Sequence, residues 1–264
     1  MKKKFVFLAC IIALFTTVSA QEKSDKKKSS TTDLKRMTWT TSSDQAREMA
    51  TKGSMYHRNI EYEQAYECFL AAEKLDPNFT IPLVFLATMT RGETKKAYAS
   101  KALASASGKT EGEKLFASLV DEKNTPESRR EIWNKLHEMF PDGGMIGHYF
   151  VVTREKPEER MAAAEEYISK FPKEAAMHNL LGYYFMEKKD FETAKKHFEK
   201  YMEMYPEGSN PYDSMGEFYL VSGDAANAEK YYALSLERYP YNNNALEAMK
   251  KFEEDKKKKT AKND

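Results

Sequence analysis

The chain is expected to fold as an all-α solenoid of about six helix-turn-helix pairs, closed by a C-terminal capping helix. Three observations carry this expectation. Pro172, Pro206 and Pro240 recur at a step of 34 residues (206 − 172 and 240 − 206). Each closes an aromatic-rich stretch whose apolar residues follow the helical period. A helical pair of that length cannot bury its apolar face alone, so stacked copies share one continuous core.

From the N-terminus, residues 1–20 read as a secretory signal peptide. Met1-Lys2-Lys3-Lys4 is followed by an apolar run over residues 5–14 and by Val18 and Ala20 ahead of Gln21, the pattern cleaved after Ala20. The run falls short of the roughly 20 apolar residues of a membrane helix. A rival reading makes Leu8-Ala9-Cys10 a lipoprotein box. It leaves only residues 5–9 as the apolar region, below the roughly 7–15 such regions span. The expected product is periplasmic or secreted, with no transmembrane segment once the signal is removed.

Residues 21–41 form a polar, basic linker and residues 255–264 a Lys-rich tail. Removing the signal leaves 42 − 3 = 39 basic against 41 acidic side chains. Residues 21–36 hold six basic and three acidic side chains, residues 253–264 hold five and four, and the body between holds 28 and 34. An acidic body lacks the basic stripe that nucleic acid requires. Cys68 alone survives processing, so no internal disulfide is expected. Beside Phe69 it reads as a small buried hydrophobe.

The ordered domain is expected over residues 42–254. Thr38-Trp39-Thr40-Thr41 is extended, with Trp39 folding back as a lid on the first helix. Ser42-Ser43-Asp44-Gln45 supplies a capping box with Ser42 as the cap. The first pair carries Met49-x₂-Lys52-Gly53-x₂-Tyr56, then Ala65-x₃-Phe69 and Pro77. The middle, 80–174, is less regular: helix pairs are expected at 81–91 with 93–106, 111–122 with 126–140, and 145–155 with 158–171. Ala87 takes the small-residue slot in the first of these. The last pairs carry His178-x₂-Leu181-Gly182-x₂-Phe185 with Ala194-x₃-Phe198 and Pro206, and Tyr212-x₂-Met215-Gly216-x₂-Tyr219 with Ala228-x₃-Tyr232 and Pro240. Gly and Ala at these slots let two helices approach, and the aromatics fill the space left. Asn59, Asp190 and Gly223-Asp224 fall at the turns within pairs. A final helix at 242–254 caps the array with its polar face.

These motifs resemble the tetratricopeptide repeat, with clear repeats at 46–79, 175–208 and 209–242 and degenerate ones at 80–174. The resemblance implies a right-handed α-solenoid whose first helices line a concave groove that binds a peptide or helix of another protein. On that groove the matching positions are Arg47, Ser54, His57 and Arg58 in the first pair, Asn179, Tyr183 and Glu187 in the fifth, and Asn210, Asp213 and Glu217 in the sixth. The groove is then basic at its start and acidic at its end. Relatives that grip a C-terminal carboxylate use lysine and asparagine where this chain has Ala50 and Ser54.

No catalytic, cofactor-binding or metal-binding signature is expected. Gly108-Lys109-Thr110 lacks the leading glycine and preceding strand of a phosphate loop. The five histidines show no paired metal-ligand spacing. The reading is therefore a non-enzymatic scaffold or adaptor of the envelope whose partners are other proteins, with self-association possible. The alternative is a glycan- or small-ligand-binding accessory protein in which Tyr183 and Tyr212 stack on sugar rings.

Overall fold

A computed structural model describes residues 35–141 and 143–260. The expected signal peptide and most of the linker lie outside the described residues. Within them are thirteen α-helices and no strand: α1 Asp44–Arg58, α2 Tyr62–Leu75, α3 Thr80–Met89, α4 Gly92–Ser105, α5 Glu111–Ser118, α6 Pro126–Met139, α7 Gly144–Val152, α8 Pro157–Lys170, α9 Ala175–Glu187, α10 Phe191–Met204, α11 Asn210–Val221, α12 Ala225–Arg238 and α13 Asn243–Thr260. Consecutive helices fold back as six hairpins, each stacked on the next, and α13 covers the last. This is an α-solenoid of helix-turn-helix pairs.

Local chemistry sets the helix starts. Ser43 caps α1 by accepting from the Ala46 N–H at 3.1 Å. The cap is one residue later than expected, and Ser42 is exposed. Thr110 and Glu113 form a capping box on α5, Thr125 caps α6 ahead of Pro126, and Asp190 and Asp224 cap α10 and α12. The turns inside pairs one, five and six each place one residue in the left-handed region: Ile60 (φ 64°), Lys189 (φ 63°) and Gly223 (φ 89°).

The small-residue slots work by close approach. A Cβ added at Gly53 would lie 2.8 Å from Phe69, one at Gly182 2.6 Å from Phe198, and one at Gly216 3.0 Å from Tyr232. The irregular middle uses the same device with different spacing, since Gly112 faces Phe140 (2.6 Å) and Gly147 faces Tyr167 (2.4 Å). In the second pair, α3 is buried continuously from Thr80 to Ala87, as a helix apolar all round must be. Phe85 stacks on Phe69 with centroids 4.4 Å apart, tying the first two pairs into one core.

Several boundaries differ from expectation. α5 stops at Ser118 because Asn124 Nδ2 donates to the Ser118 carbonyl (2.6 Å) and Arg129 Nε to that of Leu119 (3.0 Å), which closes a turn. α7 stops at Val152, where Thr153 Oγ1 bonds back to the Tyr149 carbonyl at 2.6 Å. α13 continues through the Lys-rich segment to Thr260. Lysine and glutamate are good helix formers, and Lys256 reaches Glu229 of α12 at 2.5 Å.

The array curls far enough for its start to meet its later pairs. α1 touches α7, and the α1–α2 turn is seated at the α10–α11 corner through hydrogen bonds that span up to 149 residues.

Candidate functional site

The inner side of this curl is built in three steps. The first is the arm ahead of α1. Met37 is buried, and Trp39 packs against Phe79 with ring centroids 6.3 Å apart. Thr40 donates its N–H and its hydroxyl to the fully buried Glu113 carboxylate, at 2.7 and 2.8 Å. Lys109 Nζ bridges the carbonyls of Thr40 (2.9 Å) and Asn78 (2.6 Å). The Arg47 guanidinium of α1 donates to the carbonyls of Trp39 and Thr41. The arm is thus fixed as a wall.

Closure is the second step. Arg58 at the end of α1 pairs with Glu174 ahead of α9 at 2.6 Å, both largely shielded from solvent. The Tyr149 hydroxyl of α7 is 2.6 Å from His57 Nδ1. Burial lowers His57 to about 4, against a smaller opposing backbone hydrogen bond, and burial raises Tyr149. Both side chains are held neutral at pH 7. The strongest clasp is Glu61, only 4% exposed. Its Oε2 accepts from the Tyr205 hydroxyl (2.5 Å), and its Oε1 accepts from the Ser209 N–H (2.6 Å), the Ser209 hydroxyl (3.0 Å) and the Asn210 N–H (3.2 Å). No side chain of α11 itself caps that helix, so the carboxylate of a distant turn satisfies its orphan donors and sits at the positive end of its dipole.

Between the arm, α1, the start of α7 and the α8–α9 loop, the third step leaves a cleft of about 820 Å³. From α1 it receives Arg47, Thr51, Ser54 and Arg58, one face of the helix at steps of three and four. Gly143 (φ 80°) and Gly144 (φ 62°) pass along it at the start of α7, the end of α8 contributes Lys170, and the α8–α9 loop contributes Lys173. The volume falls within the roughly 300–1,000 Å³ of ligand sites.

The structure separates the residues expected along a groove. Arg47 and Arg58 enter the cleft, and Ser54 lines it while buried at 4% exposure. His57 is turned into the Tyr149 contact instead. Asn179 is buried. Tyr183 donates to Glu217 at 2.7 Å and lies edge-on to Phe198. Asn210 gives its N–H to Glu61 and its Nδ2 to the Tyr201 hydroxyl at 3.1 Å. Asp213 is buried, accepts from Asn244 at 2.8 Å, and is raised to about 6 by burial, reinforced by Glu217 and countered by the Asn244 bond. Glu187 is exposed. Tyr212 carries the Arg238 guanidinium 3.4 Å above its ring, so both tyrosines named for sugar stacking are engaged by the chain's own side chains.

Sequence reasoning did not single out Glu61, Glu174, Lys170 or Lys173. The contacts they make depend on how far the array curls, and no local pattern encodes that. Cys68 is half-buried, with burial pushing its thiol up. His178 and His197 approach at 3.0 Å between their Nδ1 atoms, and burial and His197 lower His178 to about 4. Among the described residues no group of three metal-ligating side chains converges, and no helix is long and apolar enough to cross a membrane.

The family model described as tetratricopeptide repeat matches residues 49–79 and 175–207. No curated protein sequence matches the chain. Among solved structures, the chain is similar to one from the APC/C hetero-tetramer Cut9-Hcn1, with 16% identity and TM-score 0.49. That match covers 78% of this chain and 42% of that one, so the chain spans less than half its length. PilW, a type IV pilus biogenesis factor, is 15% identical over 79% of this chain and 100% of that chain, with TM-score 0.46. YrrB, a TPR protein with an unusual peptide-binding site, is 16% identical over 70% of this chain and 99% of that chain, with TM-score 0.43. Residues 49–79 and 175–207 are thus matched as tetratricopeptide repeats, units that generally mediate protein–protein interaction, and they lie within a stack of hairpins whose glycines meet aromatic rings.

Proposed function

We propose that the protein is a non-enzymatic scaffold or adaptor of the cell envelope, which holds a peptide or helix of a partner protein on the inner side of its curled array. The observation that carries this reading is the cleft of about 820 Å³, walled by four separate segments and lined by one face of α1. A concave site of this kind on a repeat array offers extended contact to a partner segment. The envelope location rests on residues 1–20, whose basic start, apolar run and Val18-x-Ala20 fit an export signal.

The test places a photo-crosslinking amino acid at Thr51, which is exposed and lines the cleft, or at Glu203, which is exposed near the end of α10. The chain beginning at Gln21 is then incubated with envelope extract. A defined protein crosslinked from Thr51 and not from Glu203 is expected. Crosslinks only from Glu203 move the site out of the cleft, and none from either position refutes the scaffold reading.

A further inference from the structure

We infer that the cleft is a receptor for an acidic peptide segment that also carries an apolar side chain. This rests on the reading that a partner segment occupies the inner side of the array, and it names the chemistry of that partner. Among the described residues, five cationic side chains line the cleft, Arg36, Arg47, Arg58, Lys170 and Lys173, against one acid, Glu174. That acid is already paired with Arg58. Arg47 is anchored by two carbonyl oxygens, which fix its guanidinium without cancelling its charge. The carboxylate it pairs with, Asp44, lies 4.0 Å away and is fully exposed. Lys173 stands exposed in the α8–α9 loop. Lys170 binds Glu166, but both side chains are more than half exposed, where such pairs are weak. Low-dielectric walls concentrate a field of one sign, and here Trp39, Met145 and Phe171 supply them.

The occupant comes from another molecule. Residues 21–35 hold five basic against three acidic side chains and residues 253–264 five against four, so a basic cleft offers neither segment the charge complementarity it offers an acidic one. An acidic segment is steered in by the same field, and its carboxylates meet guanidinium groups held in position for charge-assisted hydrogen bonds.

The experiment selects a phage-displayed library of random dodecapeptides on the chain beginning at Gln21. The enriched peptide is then measured by fluorescence anisotropy against the parent, Lys173→Glu, and Arg47→Glu with Lys173→Glu. Lys173 is exposed in a loop, so its variant keeps the fold, as circular dichroism will verify. Enriched sequences are expected to be net negative with an aromatic or large aliphatic residue. Affinity should fall about tenfold in Lys173→Glu, and by a similar factor between about 50 and 300 mM salt as the Debye length shrinks. Enrichment of neutral or basic peptides overturns the inference and leaves the scaffold reading standing, as do acidic peptides indifferent to Lys173→Glu. A library that yields nothing while Thr51 still crosslinks a protein also overturns it. A library that yields nothing and a Thr51 probe that captures nothing refute both.

Discussion

Substituting Glu61 by alanine removes the carboxylate on which four donors of the α10–α11 corner converge. The two hydroxyls, Tyr205 Oη and Ser209 Oγ, can rotate toward other acceptors. The N–H groups of Ser209 and Asn210 are fixed by the start of α11 and cannot. Two buried donors left without partners cost about 1–3 kcal/mol each, and a water entering the vacated space recovers part of that. The expected loss is about 3 kcal/mol. Glu61→Gln keeps an acceptor oxygen but loses the charge, for a loss of about 1–2 kcal/mol. Asp190→Ala, which removes an ordinary cap on the Thr193 N–H, is the benchmark at about 1 kcal/mol. Because repeat arrays can unfold in parts, urea unfolding should be paired with amide hydrogen exchange. Protection at Ser209 and Asn210 is expected to drop about a hundredfold in Glu61→Ala, the equivalent of about 3 kcal/mol. A variant within about 1 kcal/mol of the parent, with exchange at those two amides unchanged, refutes the clasp.

Three other outcomes are expected. Asp213→Asn should raise the urea midpoint at pH 7 and leave it unchanged near pH 4. The folded pKa of Asp213 lies near 6, above the ordinary 3.8, so the native state binds the extra proton between those values and stability is lost as pH rises through them, by about 3 kcal/mol at most. His57, lowered to about 4 from 6.5, acts in the opposite sense over nearly the same window, so the variant should show a stability that climbs with pH. Gly147→Ala should cost about 1–3 kcal/mol in thermal or urea unfolding, because its Cβ would sit 2.4 Å from the Tyr167 ring. Ile60→Gly should stabilise by about 0.5 kcal/mol, since relief of a β-branched residue at φ 64° outweighs the added freedom of the unfolded chain.

The repeat architecture was legible where the small residue and its aromatic fall at a constant offset, as in Gly53 with Phe69, Gly182 with Phe198 and Gly216 with Tyr232. It blurred where loop length changes that offset. Gly112 meets Phe140 and Gly147 meets Tyr167, the same packing with the longer α5–α6 loop or a shifted contact in between. The binding residues were less legible. Arg47 and Arg58 reach the cleft, but Asn210 and Asp213 do not face an open groove. Helical period reports which face of a helix is polar, not whether a distant turn will cover it. Glu61 looks like one more charged residue before a helix, and its burial depends on contacts some 148 residues away.

That clasp changes what kind of object the array is. A linear stack can gain or lose a repeat in evolution with little effect on the units that remain, since each knows only its neighbours. Here the first turn must arrive at the corner between pairs five and six. An inserted or deleted pair would carry Glu61 past its donors by a whole unit. The number of repeats between Glu61 and Ser209 is therefore quantised by a single carboxylate. The step that seats it joins residues up to 149 apart in sequence, and it becomes possible only after the intervening pairs have acquired their curvature.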